Sequence, residues 1–236
     1  MSPVERLPPP PAVPRRSPPV DVPGEIEMRL AGRSGGPMIE ARMHAPPEAV
    51  RAIALCHPHP LYGGSMHSPV PLAMARTLSD VARDRVAWVR FNFRGVGASE
   101  GSYDEGRGER DDALSVLAHL RAMLPSAKMS VLGHSFGSWV AWQAAVADPL
   151  VERVLLIAPS SRFFSFESVV PSRSIRTTIF IGDHDELCDV EDARSLGAKL
   201  AAEVRVFEGF DHHFLKSRRA LAEAALPVIA PEIEWP

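Results

Sequence analysis

Val131 to Gly137 read Val-Leu-Gly-His-Ser-Phe-Gly, and residues 138–147 continue Ser-Trp-Val-Ala-Trp-Gln-Ala-Ala-Val-Ala. An apolar strand runs into a serine set between two glycines, and the alanine-rich stretch behind it is a helix. That order places Ser135 on a sharp strand-to-helix turn, where a strained backbone lifts the hydroxyl above the sheet edge. Gly133 and Gly137 flank a crowded turn in which a β-carbon would strike the neighbouring strand or helix. The helix N-terminus aims backbone N–H groups at any negative charge that develops there.

Gly-x-Ser-x-Gly alone decides nothing, because it occurs around Ser34, Ser99 and Ser135. Ser34 lies in a glycine-rich turn between two short amphipathic strands, and Ser99 in a long polar loop with no helix directly behind it. Only Ser135 has a buried strand before it and a helix after it. Taken without partners, that turn would also suit an ordinary strand-to-helix connection.

Working outward, the 236-residue chain suits one large α/β domain. A net charge of −3 with 23% charged residues gives no basic field for nucleic acid or acidic lipid. No apolar run approaches the roughly 18 residues that cross a bilayer, and the N-terminus lacks a hydrophobic export segment, so a cytoplasmic protein is expected. Cys56 and Cys188 are the only cysteines, too few for a disulfide framework. Cys56 reads as a core thiol, and Cys188 has no nearby cation to activate it.

The first 23 residues hold nine prolines, which fix φ and remove N–H donors. Residues 1–23 are therefore expected to form an extended, mobile tail, and residues 24–236 the folded domain. Pro8 to Pro11 could alternatively serve as a polyproline ligand for a partner. Beyond the tail come two alternating strands, Glu25 to Ala31 and Met38 to His44, an antiparallel start at one sheet edge. A continuously apolar strand at 52–56 and further strands at 86–93, 129–132, 154–157, 177–181 and 204–207 then alternate with helices at 69–78, 109–124, 136–147, 190–202 and about 215–228. The expected fold is an eight-stranded, mostly parallel sheet with helices on both faces and its site beyond the C-terminal strand ends.

Two loops at that end supply the partners a serine needs. Gly-Asp-His-Asp-Glu-Leu-Cys (182–188) follows one strand and Glu-Gly-Phe-Asp-His-His-Phe (208–214) the next. The gaps, 50 residues from Ser135 to Asp185 and 27 from there to His212, each accommodate a helix and a strand. A serine hydroxyl is a weak nucleophile, so His212 would take its proton and Asp185 would hold the imidazole. Asp183 is the rival acid, though it stands where a residue would brace the turn. His213 is the rival base, but adjacent side chains on an extended loop point apart, so only one faces the serine.

The loop from His57 to Met66, His-Pro-His-Pro-Leu-Tyr-Gly-Gly-Ser-Met, follows the strand ending at Cys56. Its place suits the second backbone donor of an oxyanion hole, the first being Phe136 N–H. Pro58 and Pro60 have no N–H, which leaves His59 first and Leu61 second. Six of the nine histidines fall in or near these loops. His-x-His spacing alone is weak evidence for a metal, and no metal and no cofactor is expected.

Taken in order, Cys-His-Pro-His-Pro-Leu-Tyr-Gly-Gly-Ser-Met, the run RFNFRGVGASEGSYDEGRGERDD, GHSFGSWVA, GDHDELC and GFDHHF resemble the small lidless α/β-hydrolases related to dienelactone hydrolases and serine aminopeptidase-like hydrolases. The likeness spans about Glu25 to Leu226. It implies the α/β-hydrolase fold, a triad of Ser135, Asp185 and His212, and a structural turn at Ser99. Two departures stand out: dienelactone hydrolases carry cysteine at the turn where this chain has Ser135, and His213 replaces a more usual aromatic residue. The connection between the strands ending at 157 and starting at 177 is about 19 residues, too short for a cap domain. An open site follows, with Phe163, Phe164 and Phe166 either lining it or packing a short helix.

The expectation is a serine hydrolase acting on a small-molecule acyl substrate, an ester or else a thioester or amide, through an acyl-enzyme. Its rival from another class is a non-catalytic relative that uses the fold for binding, with the proline tail as a contact arm. Acyl preference and oligomeric state are not encoded in these motifs.

Overall fold

The computed structural model describes residues 5–12, 18–168 and 171–235. Their strands are β1 (Ile26–Leu30), β2 (Ile39–His44), β3 (Arg51–Cys56), β4 (Val86–Phe91), β5 (Lys128–His134), β6 (Val151–Ile157), β7 (Arg176–Gly182) and β8 (Glu203–Phe207). The helices are α1 (Pro69–Val81), α2 (Arg107–Met123), α3 (Phe136–Ala147), α4 (Val190–Leu200) and α5 (Arg218–Ile229). None of the described helices is long and apolar enough to cross a membrane.

The sheet order is β1-β2-β4-β3-β5-β6-β7-β8. β1–β2 and β2–β4 pair antiparallel, and every pairing from β4 through β3 to β8 is parallel. Burial explains the split: β2 alternates buried with half-buried residues, whereas β3 and β4 are buried throughout. Parallel strands covered on both faces are mostly apolar, and the buried Arg51 and Arg90 are held by the carboxylates of Glu232 and Glu25.

Two apolar layers do the covering. On one face α2, α3 and α4 pack around Leu117, Phe136, Trp142 and Ile179, and on the other α1 and α5 pack around Trp88, Leu132, Phe180 and Leu221. Helix α3 is buried almost all round because it lies in the middle of its face, over β5 and β6. Its Ser138 hydroxyl reaches the carbonyls of Gly133 (2.8 Å) and Ile157 (2.9 Å), so this buried polar group is satisfied by the strand ends beneath it.

The chain N-terminal to the domain is more engaged than its composition implies. Val22 is buried in the second apolar layer, the Val20 N–H donates to His67 Nδ1 (3.1 Å), and the Pro23 carbonyl accepts from Ser79 Oγ (2.9 Å). Arg90 Nη2 donates to the Val20 carbonyl (2.6 Å) and to Glu25 Oε2 (2.6 Å). Pro18 to Pro23, expected in a mobile tail, thus lie against the domain. Proline cannot donate to a sheet, but its carbonyl accepts and its valine neighbours pack.

Candidate active site

β5, β6, β7 and β8 are parallel neighbours, so the loops that leave them open on one edge. Ser135 sits where β5 becomes α3, with φ 56° and ψ −121°. An L-residue holds that conformation only under constraint from both elements. The glycines supply the room. A β-carbon on Gly133 would stand 2.0 Å from the Gly137 carbonyl oxygen, and one on Gly137 would stand 2.4 Å from that of Cys56.

Asp185 and His212 meet at the same edge. His212 Nδ1–H donates to both carboxylate oxygens of Asp185, at 2.9 Å each, and both side chains are buried. Asp185 Oδ1 also accepts from the N–H groups of Leu187 (2.9 Å) and Cys188 (3.0 Å). Three donors thus converge on the carboxylate that faces the imidazole. Asp183 points elsewhere: its Oδ1 accepts from Gly209 N–H (2.6 Å), tying the β7 loop to the β8 loop. Gly182 lets those loops touch, since a β-carbon there would lie 2.0 Å from the Phe210 carbonyl oxygen. His213 is exposed, with its ring edge-on to that of His212.

The Ser135 hydroxyl shares a hydrogen bond with Ser160 Oγ at 3.1 Å rather than with His212. Ser160 is buried in the loop after β6. No spacing pattern in the sequence singles it out, because only the folding of that loop over α3 brings it to the nucleophile turn. A second residue missed in the sequence is His134, just ahead of the turn. Its Nε2–H donates to the His212 carbonyl (2.9 Å), while Nδ1 is buried without a partner. Burial, and then the nearby His212, push its pKa well below the ordinary histidine value, so it stays neutral.

On the opposite side of Ser135 lies the loop after β3. His59 caps the 3₁₀ turn Pro60–Tyr62, and its Nδ1 accepts the Leu61 N–H at 3.2 Å. That bond engages the N–H of Leu61, the second donor expected from the sequence. The cause is local: the His59 side chain folds back on the backbone two residues ahead. Among the described residues the His59 N–H has no acceptor. Phe136 opens α3, and first-turn N–H groups have no acceptor four residues back. Gly64 permits the tight return of the loop, because a β-carbon there would stand 2.0 Å from the Pro58 carbonyl oxygen.

The remaining candidates have structural roles. His57 accepts from Phe93 N–H (3.0 Å) and donates to the Pro58 carbonyl (2.6 Å). Ser99 donates to the Asn92 carbonyl (2.7 Å) and accepts from Glu40 N–H (2.9 Å), locking the turn after β4. Ser34 occupies an exposed turn between β1 and β2. Burial pushes the Cys188 thiol up to about 12 and the Cys56 thiol higher still. No three His, Cys, Asp or Glu side chains among the described residues are grouped to hold a metal ion.

An aromatic cluster borders the turn. The His59 ring packs among Tyr62, Tyr103, Phe136 and Phe164, at centroid distances of 4.8, 4.9, 4.7 and 6.0 Å. Desolvation there lowers the His59 pKa to about 4, so it too is neutral. Phe164 stacks on Trp139 at 4.9 Å and stays half-buried, whereas Phe166 is core.

Comparison with known proteins bears on the fold that holds these residues. The family model for the alpha/beta hydrolase fold matches residues 51–174. An uncharacterized protein of Rickettsia prowazekii is 34% identical over 181 residues, covering 71% of this chain and 73% of its own. The crystal structure of a Xanthomonas campestris α/β serine hydrolase without a lid is 29% identical, with a TM-score of 0.76 over 91% of this chain and 97% of that one. An α/β serine hydrolase homologue from Coxiella burnetii is 27% identical, with a TM-score of 0.75 over 90% of this chain and 100% of that one. With half its length matched by the family model and a relative 34% identical over 71% of it, the chain belongs to the α/β-hydrolase family.

Proposed function

We propose that the protein is a serine hydrolase that cleaves carboxylic esters through an acyl-enzyme on Ser135, with His212 as general base and acid and Asp185 as its orienting carboxylate. The observation that carries this reading is the buried His212–Asp185 pair at the sheet edge that holds the strained Ser135 turn. Because Nδ1 carries the proton that Asp185 accepts, Nε2 is left with a lone pair for the serine proton.

Substrate entry turns the Ser135 hydroxyl from Ser160 toward Nε2, a rotation about one side-chain bond. Oxygen attack on the ester carbonyl then builds a tetrahedral anion, which the N–H groups of Phe136 and His59 stabilise. His212 returns the proton to the departing alkoxide, leaving Ser135 acylated. Water attacks the acyl-enzyme with His212 again accepting the proton, and the acid is released. Thioesters and amides would pass through the same acyl-enzyme and release a thiol or an amine in place of the alcohol.

A fluorophosphonate probe tests the reading. Wild type and Ser99→Ala are expected to label and Ser135→Ala to remain unlabelled, with p-nitrophenyl esters turned over ahead of matched thioesters and aminoacyl amides. Absence of wild-type labelling would favour a binding protein built on this fold.

A further inference from the structure

The connection from β6 to β7 carries no cap among its described residues. What reaches the rim instead is the N-terminal segment. Glu5 N–H donates to the Arg162 carbonyl at 2.7 Å, and the Tyr62 hydroxyl donates to the Pro8 carbonyl. Arg162 stands two residues beyond Ser160, the partner of Ser135, and Tyr62 belongs to the loop after β3.

These anchors lie on either side of the nucleophile. In the sheet, β5 lies directly between β3 and β6. The two anchors tie the segment to loops that leave the strands on either side of β5, whose end carries Ser135. Pro8 to Pro11 stiffen the continuation, since each fixes φ. Between the anchors Leu7 is half-buried while Glu5, Arg6 and Pro8 are exposed. Ser135 keeps 8% of its surface exposed.

We propose that residues 5–12 form a fixed crossbar over the nucleophile that selects substrates, admitting slender apolar acyl groups between Leu7 and the aromatic cluster and excluding branched ones. The proposal rests on Ser135 as the reactive group but not on turnover. It supplies in an N-terminal strap the wall that an inserted cap gives other members of the fold.

The test uses Ser135→Cys in the full chain, in a chain lacking residues 1–12, and with Tyr62→Phe added to the full chain. Cys56 and Cys188 are buried, so the new thiol is the one that reacts. Removing the crossbar is expected to raise the alkylation rate with N-pyrenylmaleimide about tenfold while iodoacetamide changes by less than about threefold. Tyr62→Phe, which removes one anchor and keeps residues 18–23 in place, is expected to give an intermediate rise. In the serine enzyme, truncation is expected to raise kcat/KM for p-nitrophenyl trimethylacetate relative to acetate by a similar factor. An unchanged ratio of the two thiol rates in both variants would overturn the crossbar, whatever the ester assays show. A changed thiol ratio with no fluorophosphonate labelling of wild type would keep the crossbar and remove the hydrolase reading.

Discussion

Asp183 and Asp185 are two residues apart and face different things, one a backbone N–H in the next loop and the other a buried imidazole. Asp185→Asn is expected to lower kcat by on the order of 10³ to 10⁴, because an amide can hold the wrong tautomer. Asp183→Asn should change kcat by less than about tenfold, as read from steady-state kinetics on one ester. Spacing favoured Asp185, since the two residues between it and Gly182 carry its side chain clear of the strand end. The oxyanion loop was legible only in outline. Proline arithmetic left two N–H groups, and only the fold-back of the His59 ring shows that Leu61 is already engaged. Ser160 and His134 left no trace in spacing, because through-space packing alone defines their roles.

The same buried rings make stability depend on pH. The folded His59 titrates at about 4, below the ordinary 6.5, because desolvation disfavours its charged form. Between those values the unfolded chain binds a proton that the folded chain refuses, so this contribution is complete above pH 6.5 and is lost as pH falls toward 4. The slope is about 1 kcal/mol per pH unit in that window. His134 acts in the same direction. Urea unfolding at pH 7.5 and 5.0 should show the loss, and His59→Gln should shrink it by about 1 kcal/mol per unit; an unaltered slope would count against a neutral buried His59.

At the level of elements, the turn at Ser135 depends on what cannot be present. Gly133→Ala and Gly137→Ala each push a methyl group into a carbonyl of a neighbouring element. Each is expected to destabilise by about 3 kcal/mol or more, visible as a lowered urea midpoint or an insoluble chain. Strands and helices were legible from periodicity because the parallel strands are apolar on both faces. Boundaries were less so: α5 begins at Arg218 rather than about 215, β4 ends at Phe91 rather than 93, and β6 begins at Val151 rather than 154. Exposed Glu152 and half-buried Arg153 interrupt its apolar run, while the pairing with β5 continues. Strand order was not legible: alternation fixes that β3 and β4 are parallel neighbours, but not that β3 lies between β4 and β5.

Across the whole molecule, one buried ion pair joins the first strand's approach to the sheet interior. Glu25 accepts from Arg90 and from Trp88 Nε1 (2.9 Å), and Arg90 also donates to the Val20 and Met66 carbonyls. Both charged side chains of the pair are fully buried. Glu25→Ala leaves the guanidinium without its counter-charge and should cost about 3 to 5 kcal/mol in urea unfolding. Composition could not reveal this, because it registers the prolines of residues 1–23 and not the carbonyls and valines between them.

A different set of charges marks the far pole. Arg51 and Lys128, at the starting ends of β3 and β5, both hold Glu232. The final residues are therefore moored at the end of the sheet remote from Ser135. A dye or resin coupled past Trp235 would hang from the back of the protein and leave the mouth clear, whereas bulk attached ahead of Glu5 would be carried at the entrance. Biosensor or immobilisation work on this scaffold should take its handle from the carboxyl side.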